Sequence, residues 1–280
     1  MLNKTNYLVK YYYIGLKKYH GSQRQKQYPS IEEKIIEALK TKNYIKTVRE
    51  GSVNFASRTD RHVSARGAAF SFSTSKKLTL MEVNTALPKE IGLWASSSVP
   101  EGFFARFQAV SRHYKYILSK SSHRLRSLTQ VQLDSMRKAC KILKGRHDFQ
   151  NFSKRKKDQE NTVKDLDLVK MTELDEFIIF DFISRSFLRQ QIRRMVRKII
   201  DVGIGEMSLE DFKVLFDSTN YISYQPAEPE GLILWDINYG DEFELIEDDT
   251  SIERMREYFG EKKRHHSLKK KLFEQLLKRR

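Results

Sequence analysis

Strand-like and helix-like segments mingle along this chain without strict alternation, and that mixture narrows the open folds more than any other feature. A regular strand–helix–strand–helix order would feed a doubly wound parallel sheet. A mixed order with strands that can turn back on each other feeds an antiparallel sheet with helices to one side. The chain is therefore expected to be α+β.

The individual segments are legible from their periods. Tyr7, Val9, Tyr11 and Tyr13 alternate with Leu8, Lys10, Tyr12 and Ile14 in β-favouring residues, which predicts a first strand. Ser30-Ile31-Glu32-Glu33 reads as a capping box opening a helix with Ile31, Ile35 and Leu39 on one face. Val53–Ser57 and Gly67–Ser73 read as strands around the loop Arg58–His62. Leu80–Leu87 reads as a short helix stopped by Pro88, and Arg112–Ser119 as a strand. Leu133, Met136, Cys140 and Leu143 recur at helical spacing, with Gly145 as the stop. Val163–Met171 and Phe177–Ser184 predict a hairpin around 172–176, Phe187–Val202 a basic helix, and Leu232–Tyr239 a late strand.

Charge identifies the kind of partner. With 280 residues the chain can bury a substantial core, and 52 Lys+Arg against 36 Asp+Glu leave a net +16. An excess of that size favours a polyanion, because each neutralised phosphate releases counterions. Asp241–Asp249 is acidic, whereas Ser251–Arg280 is basic, with Leu268, Leu272 and Leu276 spaced by four as in a helix. That tail is either an RNA-contacting arm or a solvated terminal helix. The single cysteine, Cys140, lies on an apolar helical face, and allows no intramolecular disulfide. The N-terminal segment alternates and so does not read as a signal peptide, and no stretch reads as a membrane span. A cytoplasmic protein without membrane association is expected.

The motifs for metal or cofactor chemistry are missing. The seven histidines show no ligand-like spacing, and no glycine-rich phosphate loop or serine-nucleophile elbow occurs. Neither a metal nor a cofactor is expected. What remains is Ser57-Arg58-Thr59-Asp60-Arg61-His62, a carboxylate between two cations. Such a setting suits an anionic nucleophile, and the same cations can grip phosphates beside a target nucleotide. On these residues alone, an Asx turn or a surface ion pair is the commoner explanation.

The run Ala56–Ala65 closely resembles the catalytic loop of the TruA family of tRNA pseudouridine synthases, which carries G/S-R-T-D-x-G-V-x-A. Further stretches match in the family's order. They are Gly21-Ser22-Gln23-Arg24-Gln25; Phe103-Phe104-Ala105-Arg106-Phe107 with Arg112-His113-Tyr114-Lys115-Tyr116; Gly145 to Phe152; Phe187 to Val196; and Pro226-Ala227 with Gly231-Leu232. The resemblance spans about residue 7 to residue 239.

This resemblance implies a fold of two ferredoxin-like lobes related by an approximate twofold, with antiparallel sheets joined across a basic cleft. The lobes would span residues 1–105 and 106–240, followed by the acidic linker and basic tail, 241–280. It also implies tRNA as substrate, a target on the 3′ side of the anticodon stem-loop, and a homodimer. Asp60 takes the place of the catalytic carboxylate, Arg58 of the residue that holds the flipped nucleotide, and Tyr114 of the aromatic against the target base. Arg193 takes the place of the aspartate's partner and Leu232 of a pocket-lining residue. Arg61 and Arg106 are candidate substrate contacts. One carboxylate suffices, because the same uracil leaves C1′ through N1 and returns through C5; a hydrolase would normally need a second one for water. The sequence departs from the pattern at His62, where the family has glycine, and at Phe104, often histidine. Charge alone equally supports a catalytically silent RNA-binding protein, and the departures at His62 and Phe104 leave open a synthase acting on other RNA sites; a metal-dependent nuclease would need clustered carboxylates.

Overall fold

The computed structural model describes residues 4–121, 125, 127–154 and 161–278; His123 and the last two arginines of the tail lie outside them. The first half runs β1 (Thr5–Tyr13), α1 (Ile31–Thr41), β2 (Asn54–Phe55), β3 (Ser64–Thr74), α2 (Leu80–Asn84) and β4 (Ile91–Val99). The second runs β5 (Ser111–Ser119), α3 (Gln130–Leu143), β6 (Gly145–Asp148), β7 (Val163–Leu166), β8 (Leu168–Glu173), β9 (Phe177–Ser184), α4 (Gln191–Gly203), α5 (Leu209–Val214) and β10 (Leu232–Asn238). A two-residue strand β11 (Ile246–Glu247) and the long helix α6 (Asp249–Leu276) follow.

Among the described residues one large sheet dominates, in the order β11-β4-β1-β3-β10-β5-β9-β8, with β2 also paired to β3. Each half repeats the same plan. Taken as strand–helix–strand–strand–helix–strand, the first gives the order β4-β1-β3-β2, and the second gives β10-β5-β9-β8. The expected α+β class with a mostly antiparallel sheet is therefore present. The halves meet where β10 lies parallel to β3, Ile233 opposite Ser64 and Leu234 opposite Ala65. On its other edge β10 pairs antiparallel with β5, placing Leu234 beside Tyr114.

Local chemistry explains the helices. Ser30 caps α1 by accepting from Glu33 N at 3.3 Å, as the capping pattern predicts. Thr129 and Gln132 form a reciprocal capping box at α3, whose buried face is Leu133, Met136, Ala139, Cys140 and Leu143. Gly145, at φ 94°, turns the chain straight into β6. The main core packs against one face of the sheet, around Tyr11, Phe70, Phe72, Phe149, Phe180, Met195 and Ile199. A small second cluster of Tyr12, Trp94, Ala95 and Ile252 lies under the start of α6.

Several boundaries differ from the sequence reading. The basic helix begins at Gln191 rather than Phe187, because Gln190 stands at φ 60° and breaks the helical run. The segment 163–171 is two strands: Asp167 separates β7, which pairs with β6, from β8, which pairs with β9. Of Val53–Ser57 only Asn54–Phe55 is strand. Strand β4 was not foreseen, and the reason is physical. Its first five residues are buried regardless of face, so alternation disappears, and Ser96-Ser97-Ser98 reads as loop.

Candidate active site

The loop between β2 and β3 carries Asp60, and its shape follows from bonds on all sides. Thr59 N donates to Ser22 Oγ at 2.8 Å, and Ser22 N donates back to Thr59 O at 3.2 Å. The Tyr13 hydroxyl lies 2.6 Å from Thr59 Oγ1. Val63 N donates to Asp60 O at 3.3 Å and closes a tight turn over Arg61 and His62. In that turn His62 has φ 69°, the third-position geometry that favours glycine. His62 thus accepts a left-handed backbone of the kind glycine holds freely. Gly15 lies beneath it: a Cβ there would be 2.3 Å from the His62 carbonyl carbon.

Asp60 is held from the second half of the chain. Arg193 Nη1 donates to Asp60 Oδ2 at 2.8 Å, across 133 residues of sequence. Arg193 Nε donates to Ala227 O at 2.8 Å, and Ala227 N donates to Arg193 O at 2.9 Å. The guanidinium is therefore fixed at two points and the ion pair is oriented rather than loose. Asp60 keeps about a third of its side-chain surface exposed (32%), while Arg193 keeps 11%.

Asp60 opens on a cavity of about 1080 Å³. Arg58, Arg61, Arg106, Tyr114 and Leu232 line it with Asp60, so six of the seven residues singled out in the sequence share one wall system. Arg193 reaches the carboxylate from helix α4 instead. Arg58, Arg61 and Arg106 are exposed, and Arg61 Nη2 donates to Lys17 O at 3.0 Å. Tyr114 is buried, packs edge-on against Phe187 with ring centroids 5.3 Å apart, and faces the same space. Burial pushes its phenol up to about 12, with Arg112 and a Ser57 hydrogen bond opposing and the Asp60 charge adding to the rise.

Two contributors carried no assignment in the sequence. Arg112 donates from Nε to Ser57 Oγ at 3.0 Å and from Nη2 to Ala56 O and Arg106 O at 3.1 and 2.9 Å. It ties the Asp60 loop to β5 and to the Arg106 loop, and burial lowers its pKa. The signal was its place two residues before Tyr114 in a matching block. The second is Gln191, buried at the cavity wall, for which the sequence offers no signal beyond its neighbour Arg193.

Comparison with known proteins identifies relatives over most of the chain. A family model described as tRNA pseudouridine synthase matches residues 139–240. The tRNA pseudouridine synthase A of Methanothermobacter thermautotrophicus is 36% identical over 246 residues, covering 88% of this chain and 86% of that protein. The protein of the same name from Methanosarcina acetivorans is 34% identical, covering 96% of this chain and 97% of its own length. That from Methanosarcina mazei is 33% identical, covering 88% and 89%. The chain belongs to the tRNA pseudouridine synthase A family.

Proposed function

We propose that this chain isomerises uridine to pseudouridine in tRNA, on the 3′ side of the anticodon stem-loop, with Asp60 as the nucleophile. The observation that carries the reading is the Asp60–Arg193 ion pair at 2.8 Å, opening on a cavity lined by Arg58, Arg61 and Arg106. Such a reaction needs the target base out of its stack, at a cost of a few kcal/mol. Arg58, exposed at the cavity, is suited to fill the vacated space and grip backbone, while Arg61 and Arg106 meet phosphates. Attack at C1′ and removal of the C2′ proton both start from the one carboxylate. Arg193 fixes its direction. Leu232 and Phe187 give the uracil an apolar wall that keeps water from the ribosyl intermediate. Tyr114 meets the base as a neutral phenol, because burial holds its ionisation far above neutral pH.

The decisive experiment is pseudouridine formation on tRNA transcripts by the wild-type chain and by Asp60→Ala. Loss of a covalent nucleophile is expected to slow a single turnover by on the order of 10³-fold or more. Substantial product from the variant overturns the mechanism, and no product from the wild type overturns the activity. The reading includes a homodimer sharing one tRNA and a cytoplasmic setting; light scattering giving twice the chain mass checks the first. Neither metal nor cofactor takes part in the proposed steps, so activity is expected to survive dialysis against EDTA.

A further inference from the structure

Helix α4 begins at the cavity wall with an unusual cap. Gln190, its N-cap residue, stands at φ 60° and makes no side-chain bond to the helix. Side-chain caps are made from extended backbone, so this left-handed position leaves the first turn without one. Gln190, Gln191 and Ile192 all line the cavity that Asp60 opens on, so this uncapped start belongs to the site.

Gln191 supplies an independent observation. It is 1% exposed. Its Oε1 accepts from Leu188 N at 2.7 Å, which settles the direction of the amide, since only the oxygen can meet a backbone N–H. The Nε2 donor is left over, and among the described residues it has no hydrogen-bond partner. A buried donor without an acceptor is costly, and an arriving acceptor would remove that cost. The positive end of the helix dipole and the exposed Arg189 beside it on the cavity wall select an anionic acceptor over a neutral carbonyl.

We propose that the N-terminus of α4, with Gln191 Nε2 as its side-chain donor, is the subsite for a phosphate oxygen of the flipped nucleotide. The proposal rests on the reading of this cavity as the uridine site. Its consequence is geometric. Arg193, in the same first turn of α4, holds Asp60, so one helical turn would position both the carboxylate and the phosphate. The distance from the phosphate to the reacting C1′ is then set by the helix rather than by mobile loops.

The test is equilibrium dialysis of the full chain against uridine, uridine 5′-monophosphate and uridine 3′-monophosphate, with pseudouridine formation on tRNA assayed separately. At least one monophosphate is expected to bind about tenfold or more tightly than uridine, the scale of one well-placed anion contact. Gln191→Glu keeps the acceptor for Leu188 N and replaces the donor with an anion. It is expected to abolish the preference for the monophosphate over uridine. Gln191→Met, which removes the donor without adding charge, is expected to reduce the preference and provides a second reading if the glutamate variant unfolds. Equal binding of uridine and both monophosphates by the wild type, or a preference that persists in both variants, overturns the subsite. Absence of product from the wild type on tRNA bears on the reaction alone.

Discussion

His62 holds a conformation that glycine takes freely, φ 69°, in the turn that presents Asp60. A histidine tolerates this better than a branched residue does, and left-handed backbone costs about 1–2 kcal/mol for L-residues. His62→Val is therefore expected to lower unfolding free energy by about that amount or more in a urea titration, whereas His62→Gly is not. Arg193 shows a different kind of constraint, since its Nε and Nη1 serve Ala227 O and Asp60 at once. A lysine has one point of attachment and cannot do both. Arg193→Lys is expected to slow a single turnover by about 10²-fold, the loss that small misplacement brings, with little change in tRNA affinity. Rate and filter-binding affinity measured together separate positioning from binding. That Asp60, Arg58 and Tyr114 would share one cavity was legible because short motifs in a matching order carry them. The role of Arg112 was not, because it acts through backbone carbonyls of Ala56, Arg106 and Arg185 that no pattern of residue types encodes.

At the level of elements, alternation and capping revealed β1, α1, α3, β5, β9 and β10. They failed where tertiary context overrides local pattern. Strand β4 is buried against β1 on one side and takes β11 on the other, so its serines are strand residues through pairing, not propensity. The early end of α4 was hidden because Phe187 and Leu188 continue the apolar stripe while lining the cavity instead. Between elements, Gly15 lets the segment after β1 pass against the His62 backbone. Gly15→Ala is expected to destabilise by about 1–3 kcal/mol, as overpacking does, and to reduce turnover by displacing the Asp60 turn. Chemical denaturation and single-turnover assays on the same variant check both effects. Tyr114 and Tyr116 both lie on β5, and burial raises each phenol to about 12. Their ionisation is disfavoured in the folded sheet, so the stability they contribute is intact below the unfolded phenol's pKa. It is lost as pH rises from about 10 toward 12. Alkaline unfolding is expected to track phenolate absorbance across that window, and to shift upward in Tyr116→Phe.

Over the whole molecule, α6 has two parts with different physics. Its first turns bury Ser251, Ile252 and Tyr258, and Arg254 donates to the Tyr12 hydroxyl at 2.8 Å. From residue 261 to 278 every described residue is exposed, with Lys270 reaching Glu176 at the tip of the β8–β9 turn. Truncation after Gly260 is therefore expected to leave the melting temperature nearly unchanged. If the basic tail is an RNA arm, the same truncation weakens tRNA binding and flattens its salt dependence. Among the described residues no helix is long and apolar enough to cross a membrane. The seam between halves has a further consequence, in the order of synthesis. Strand β10 enters between β3 and β5, which were made some 110 to 170 residues earlier. A chain still on the ribosome can assemble β4-β1-β3 and later β5-β9-β8, yet the parallel closure must wait for residues 232–238. Ala227, which fixes the arginine that aims Asp60, emerges just ahead of that strand. The nascent protein therefore carries Asp60 for most of its synthesis without the arginine contact that orients it, and that contact is completed in one late step.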